Sequence, residues 1–256
     1  MKPLIPLSSR TSAKSWSRTL AVVSVLLIGL ILALLGRRAH ATANSLAELR
    51  RSGFHVETRC EWHSARLVAP EHWADWWPTS VRFSFEGESP ERLADALHRL
   101  QSVPALTHVV IRNARLTKAD CRELVRLPRL SQLALHDSSV AGSWDWLEQL
   151  DGLTCLSLRG TEITDLACES VSKLGSLQHL DLIGSRVTDL GATRLSRLLR
   201  LTHLDLRGCL VSDLSIARLN TLPNLEFVDV CGTRLSHPQI QLWRTTNPRL
   251  EIHSDF

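Results

Sequence analysis

No Cys-x-x-Cys pair, no glycine-rich phosphate loop, no kinase element and no catalytic Ser-His-Asp context occurs in these 256 residues. Those absences remove the sequence signatures of paired-thiolate metal sites, nucleotide cradles and serine hydrolases. Little chain is left over in which another active site could be built. Acidic residues are missing from residues 1–38, which carry six basic side chains, and charge of either sign is missing from Leu20–Leu35. Beyond residue 38 stand 24 basic against 26 acidic side chains, a balance of −2. The overall excess of +4 therefore belongs to the first 38 residues. A nucleic-acid binder would carry its basic patch on the folded domain, so no nucleic acid is expected as partner.

What is present in quantity is repetition. "LTHLDLRGCLVSD" at residue 201 follows "LQHLDLIGSRVTD" at 177 by 24 positions, and related segments start at 106, 130, 153 and 225, with a truncated "LEIHSDF" from 250. The intervals are 24, 23, 24, 24, 24 and 25. A looser unit precedes them, "SVRFSFEG" at 80–87 and then "SPERLADALHRL" at 89–100. A fixed period in the twenties predicts a solenoid in which each unit supplies one strand and one helix. The Leu-x-x-Leu-x-Leu alternation turns Leu180, Leu182, Leu204 and Leu206 inward on short strands. Thr164-Asp165, Thr188-Asp189 and Ser212-Asp213 then read as a hydroxyl N-cap and a carboxylate in the first turn. Leu190, Ala192, Leu195 and Leu198 follow at helical spacing as the buried stripe.

The pattern resembles the ribonuclease-inhibitor-like, cysteine-containing class of leucine-rich repeats, and is most similar to short membrane-anchored repeat proteins of planctomycete bacteria. The likeness covers about residues 80–256. It implies an α/β solenoid with a parallel concave sheet, helices on the convex side and a protein or peptide partner. It implies no enzymatic activity and no cofactor. Such scaffolds carry many unrelated binding tasks, so the partner stays unnamed.

The division expected is a basic segment at 1–18, a transmembrane signal anchor at 19–36, a linker and N-terminal cap at 37–79, and repeats at 80–256. The 18 residues of the anchor reach about 27 Å as a helix, close to the hydrocarbon thickness. Four basic residues before the span and two after it favour a cytoplasmic N-terminus and extracytoplasmic repeats. Ala39-His40-Ala41 is a small-x-small site, so a secreted form cleaved near Ala41 is the alternative. Arg37 and Arg38 stand between core and site, where cleavable signals avoid positive charge. In the cap, Trp73, Trp76 and Trp77 share one helical face. They read as a plug over the first repeat or, alternatively, as a helix at the membrane interface.

Six cysteines in an exported chain would suggest disulfides. Cys155 and Cys231 fall three strands apart, roughly 14 Å at about 4.8 Å per strand, too far to bridge. Cys121 and Cys168 lie in helical segments and Cys209 in a turn. Most read as small buried residues, and Cys60 alone keeps an open partner.

Stacking the repeats gives three outward columns. The first is His108, Gln132, Cys155, His179, His203, Phe227; the second Val110, Ala134, Ser157, Asp181, Asp205, Asp229; the third Arg112, His136, Arg159, Ile183, Arg207, Cys231. The candidate binding face is His179, Asp181, His203, Asp205, Arg207, Phe227 and Asp229. Three aspartates side by side cost stability unless something compensates, so Asp205→Asn is expected to be neutral or mildly stabilising. Three readings stand: a solvated ladder, a surface for a basic partner, or a metal-dependent hydrolase using His179, His203, Asp181 and Asp205.

Overall fold

The computed structural model describes residue 37 and residues 40–59, 80–87, 90–103 and 105–256. The anchor at 19–36, Cys60 and Trp73, Trp76 and Trp77 lie outside the described residues. Among the described residues no helix is long and apolar enough to cross a membrane.

The chain enters through helix α1 (residues 40–51) and strand β1 (His55–Arg59), which runs antiparallel to β2 (Ser80–Glu86). From β2 onward the strands are parallel and come in sequence order: β3 (Leu106–Arg112), β5 (Gln132–His136), β7 (Cys155–Ser157), β8 (His179–Asp181), β9 (His203–Asp205), β10 (Phe227–Asp229) and β11 (Glu251–His253). The short strands β4 (Arg115–Leu116) and β6 (Ser139–Val140) pair with each other on the way to the helices. Helices α2 (Pro90–Leu100), α3 (Lys118–Val125), α4 (Asp165–Val171), α5 (Asp189–Leu195), α6 (Asp213–Leu219) and α7 (His237–Thr246) alternate with the strands. In the 23-residue unit a 3-10 turn, Asp145–Gln149, replaces the α-helix. Trp144 and Trp146 stack there at 6.3 Å and pack half-buried on the core, supplying the contacts the missing helix would have made.

The inward leucines behave as the alternation requires. Leu180, Leu182, Leu204 and Leu206 are at most 2 % exposed and join one continuous core. Strands β3, β5 and β7 to β10 are each followed by a left-handed turn at the same place in the repeat: Gly160, Gly184, Gly208 and Gly232 have φ between 65° and 69°, while Asn113 (50°) and Asp137 (49°) hold the place earlier. Asparagine and aspartate are the side chains that tolerate this conformation best after glycine.

The first repeat is covered by Leu46 and Leu49 of α1 and by Phe54, whose ring lies 5.6 Å from Phe83 and 5.9 Å from Phe85. A solenoid needs such a lid because its terminal unit has no neighbour to bury it.

Two helix-level expectations change. Leu190 is 54 % exposed and is not part of the buried stripe. Helix α5 begins only at Asp189 and turns Gly191, Ala192 and Leu195 inward, which leaves Leu190 on the outer side. The aspartates at the helix starts also do more than face the dipole. Asp165 accepts from the backbone N–H and hydroxyl of Thr188 (2.8 and 2.7 Å) and from the N–H of Gly191 (2.9 Å) in the next repeat. Asp189 does the same for Ser212, at 2.7 Å to each group, and Asp213 for Ser236, at 2.8 Å. A row of three carboxylates thus clips the units of α4, α5 and α6 each to the helix cap of its successor.

Candidate functional site

The concave face carries the columns in the order read from the repeat. Strand register places His108, Gln132, Cys155, His179, His203 and Phe227 in one row. The row beside it runs Val110, Ala134, Ser157, Asp181, Asp205 and Asp229. Residues of a parallel ladder stack directly over one another, and the aromatic members of the first row do so ring on ring. His179 and His203 lie 4.5 Å apart and 21° from parallel; His203 and Phe227 lie 5.8 Å apart; Phe227 meets His253 edge-on at 4.9 Å. His253, supplied by the truncated last unit, stands in register with Asp229 in the second row and reaches Phe227 from there, a contact beyond the residues singled out from sequence.

The carboxylate row is compensated within the chain. Asp181, Asp205 and Asp229 each turn Oδ1 onto the backbone N–H two residues on, at 3.0, 3.1 and 3.0 Å. Arg207 grips Asp205 through Nε and Nη2 (3.0 and 2.6 Å to Oδ2) and reaches Asp229 Oδ2 at 3.5 Å. Arg159 stands 3.6 Å from Asp181. The cation that like-charged neighbours demand is therefore already present, in the third column. Strand alternation puts residue i+2 on the same face as residue i, which sets Arg207 beside the aspartates from sequence, and the structure pairs it with Asp205 and Asp229.

A polar chain also crosses three strands. His136 Nε2 is 2.9 Å from Ser157 Oγ, which donates to Asp181 Oδ2 at 2.9 Å. The serine proton goes to the carboxylate, so the imidazole can only donate to that hydroxyl. This is the reverse of the transfer by which a histidine activates a serine. The thiols are likewise not activated. Burial raises the pKa of Cys155, and burial with the Asp229 contact pushes Cys231 up to about 11; a thiol needs a depressed value to act as nucleophile near neutral pH. Partial burial, then the charge of His203, holds His179 below the ordinary imidazole value; burial, then Arg112 and Arg159, does so for His136.

The metal reading gains nothing from this arrangement. Its imidazoles face each other as plates, and its carboxylates are turned onto backbone amides, Ser157 and Arg207. Among the described residues no group of three or more His, Cys, Asp or Glu is placed to hold one ion.

Between the aromatic ladder and the first strands lies a groove of about 410 Å³, floored by small side chains of Val110, Ala134, Cys155 and Ser157 and edged by His136 and His179. Cys121, Cys168 and Cys209 are buried free thiols, in keeping with the sequence reading, while Cys155 and Cys231 are partly open to the concave side.

No family model and no curated protein matches the chain. Solved structures do. An internalin (inlF) of Listeria monocytogenes matches with a TM-score of 0.51 at 16% identity, over 66% of this chain and 51% of that one. Internalin C2 of the same species matches with a TM-score of 0.53 at 18% identity, over 84% of this chain and 85% of that one. The chain thus spans about half the length of the first of these structures. Identity at this level speaks to fold alone. The architecture is a leucine-rich repeat solenoid.

Proposed function

We infer that the protein is a non-enzymatic binding module that takes a protein or peptide on its concave face, and that residues 19–36 hold it at a membrane with the repeats outside the cytoplasm. The observation that carries the binding reading is the concave groove with its stacked ladder of His179, His203 and Phe227. Flat aromatic and imidazole surface fixed on a rigid sheet binds at low cost in conformational entropy. Because the aspartates are neutralised by Arg207 and Arg159, the face is suited to an apolar or aromatic side chain entering the groove, more than to a strongly basic partner. The motif shared by residues 177–189 and 201–213, and the α-helices that follow these strands, favour the ribonuclease-inhibitor-like subclass. The anchor rests on the uncharged run and its basic flanks, and α1 begins within a few residues of its end.

Pull-down from a membrane extract tests the binding reading with the full chain, a His203→Ala/Phe227→Ala variant and a variant altered on the helical side. A partner kept by the first and third proteins and lost by the second, with weak dependence on salt, is the expected result. Identical capture by all three would place the binding surface elsewhere. An alkaline carbonate wash tests the anchor: release of a protein beginning at Thr42 would replace it by the secreted form.

A further inference from the structure

Leu199, Leu242 and Phe256 are exposed singly, but the other exposed large hydrophobic side chains among the described residues lie together. Leu166 (78 % exposed), Leu190 (54 %) and Leu214 (78 %) occupy the same position, the second residue of α4, α5 and α6. Single exposed leucines are ordinary, but three in register on packed neighbouring helices form a ridge, and an apolar ridge rimmed by charge marks an interaction surface. The loops that rise to these helices are hydrogen-bonded in series, Arg186 N–H to Ile163, Leu210 N–H to Val187 and Arg234 N–H to Val211, at 2.8–3.0 Å. Glu162, Arg186, Leu210 and Arg234 therefore stand side by side along the ridge. Glu162 and Leu166 line one depression, which shows that the two rows share a face. All four loop residues are exposed, and among the described residues the side chains of Glu162, Arg186 and Arg234 make no ion pair.

The order along this flank is acid, base, leucine, base, with leucines behind the first three. We propose that the flank is a two-fold symmetric interface between two copies of this chain, its axis between α5 and α6. A two-fold interface must be complementary to itself under reversal. Reversal about that axis sets Leu190 of one copy against Leu214 of the other, twice, and lays the aliphatic stem of Arg186 along Leu210 of the partner, leaving its guanidinium at the rim. It also sets Glu162 of each copy opposite Arg234 of its partner, so the unpaired acid and the unpaired base at the two ends satisfy each other. An axis through α5 itself would oppose Arg186 to its own copy and leave Glu162 facing Leu210. The concave groove is on another side of the solenoid, so dimerisation presents two grooves and obstructs neither.

Sedimentation of the full chain in mild detergent over a range of concentrations tests this. The wild type is expected to be dimeric. Leu214→Glu removes an apolar contact that symmetry counts twice and should weaken association about a hundredfold or more. Glu162→Arg alone and Arg234→Glu alone each replace two attractions by repulsions and should weaken it about tenfold, while the chain carrying both reversals should regain wild-type association. All of these positions are exposed, so circular dichroism should stay unchanged. A wild type that is monomeric throughout would overturn the proposal and give the ridge to another occupant, such as a bilayer or a different protein. So would a dimer indifferent to Leu214→Glu, or a double reversal no better than the single ones.

Discussion

Arg207 binds both carboxylate oxygens of Asp205, at 3.1 and 3.0 Å from Nε and 2.6 Å from Nη2, across two positions of the same strand end. This relationship reverses an expectation. Considered as a row of like charges, the aspartates should gain from neutralisation; considered with Arg207, Asp205 is the anion that holds a guanidinium in place against Asp229 as well. Asp205→Asn keeps the acceptor for the Arg207 backbone N–H but loses the charge. A loss of about 0.5–1 kcal/mol is expected, the size of a partly exposed ion pair. Asp205→Ala should lose more. Thermal unfolding of the two variants checks the order, and a stabilised Asp205→Asn would show that repulsion from Asp181 and Asp229 dominates after all.

The inner leucines supply the contrast. Leu204 is 0 % exposed and pairs in register with Leu180 and Val228. Leu204→Ala leaves a cavity that neighbouring strands cannot close, at a cost of about 2–5 kcal/mol. Chemical denaturation should rank it well below any single change in the outward columns, and comparable losses would mean that the strand faces had been assigned the wrong way round.

How much of this was readable in advance follows from the range of each interaction. Period, strand facing and the three outward columns depend on neighbours at fixed sequence offset, and all were legible. The αL turn is equally regular, since Gly184 and Gly208 recur in step. Leu190 was misplaced because the inward arc of a seven-residue helix depends on where the helix starts, and a shift of one residue rotates it by about 100°. The clip between Asp189 and Ser212 spans 23 residues and only exists once repeats stack. The repeat pattern shows those aspartates at the starts of α4, α5 and α6, where the helix dipole already accounts for them locally.

That clip can be measured. Asp189→Ala strands the N–H and hydroxyl of Ser212 at a half-buried helix start, for a loss of about 1–3 kcal/mol. Since repeats are coupled mainly to their neighbours, hydrogen exchange should accelerate first in α6 and the strands on either side of it. A loss of protection confined to α5, the helix that carries Asp189, would show that the carboxylate serves only its own helix.

Gly191 gives an independent test of the same row. Alanine normally stabilises a helix interior relative to glycine by roughly 1 kcal/mol. Here an added Cβ would lie 2.5 Å from Asp165 Oδ1, 2.7 Å from Val187 Cγ1 and 3.1 Å from Cys168 Sγ. Gly191→Ala is therefore expected to destabilise, because it pushes Asp165 off the Gly191 and Thr188 amides. A raised melting temperature would mean that the clip yields without cost.

The final expectation concerns pH. His136 and His179 have their pKa values held below the ordinary 6.5 in the folded chain, by partial burial first and by neighbouring charge second. An unfolded chain then binds protons before the folded one does, so their contribution is constant above about pH 6.5 and stability declines as pH falls below it. The decline is modest, because both rings keep contact with solvent. It should be separable from carboxylate titration, which begins lower. Melting temperatures between pH 7.5 and 5.5 should fall for the wild type and fall less for His136→Gln/His179→Gln, in which the glutamine at 136 can still donate to Ser157. The same protonation would place a charge in the stacked ladder beside His203, so a partner that covers the ladder should leave faster in the same interval. Equal slopes for wild type and double variant would show that these imidazoles are free to charge in the folded state.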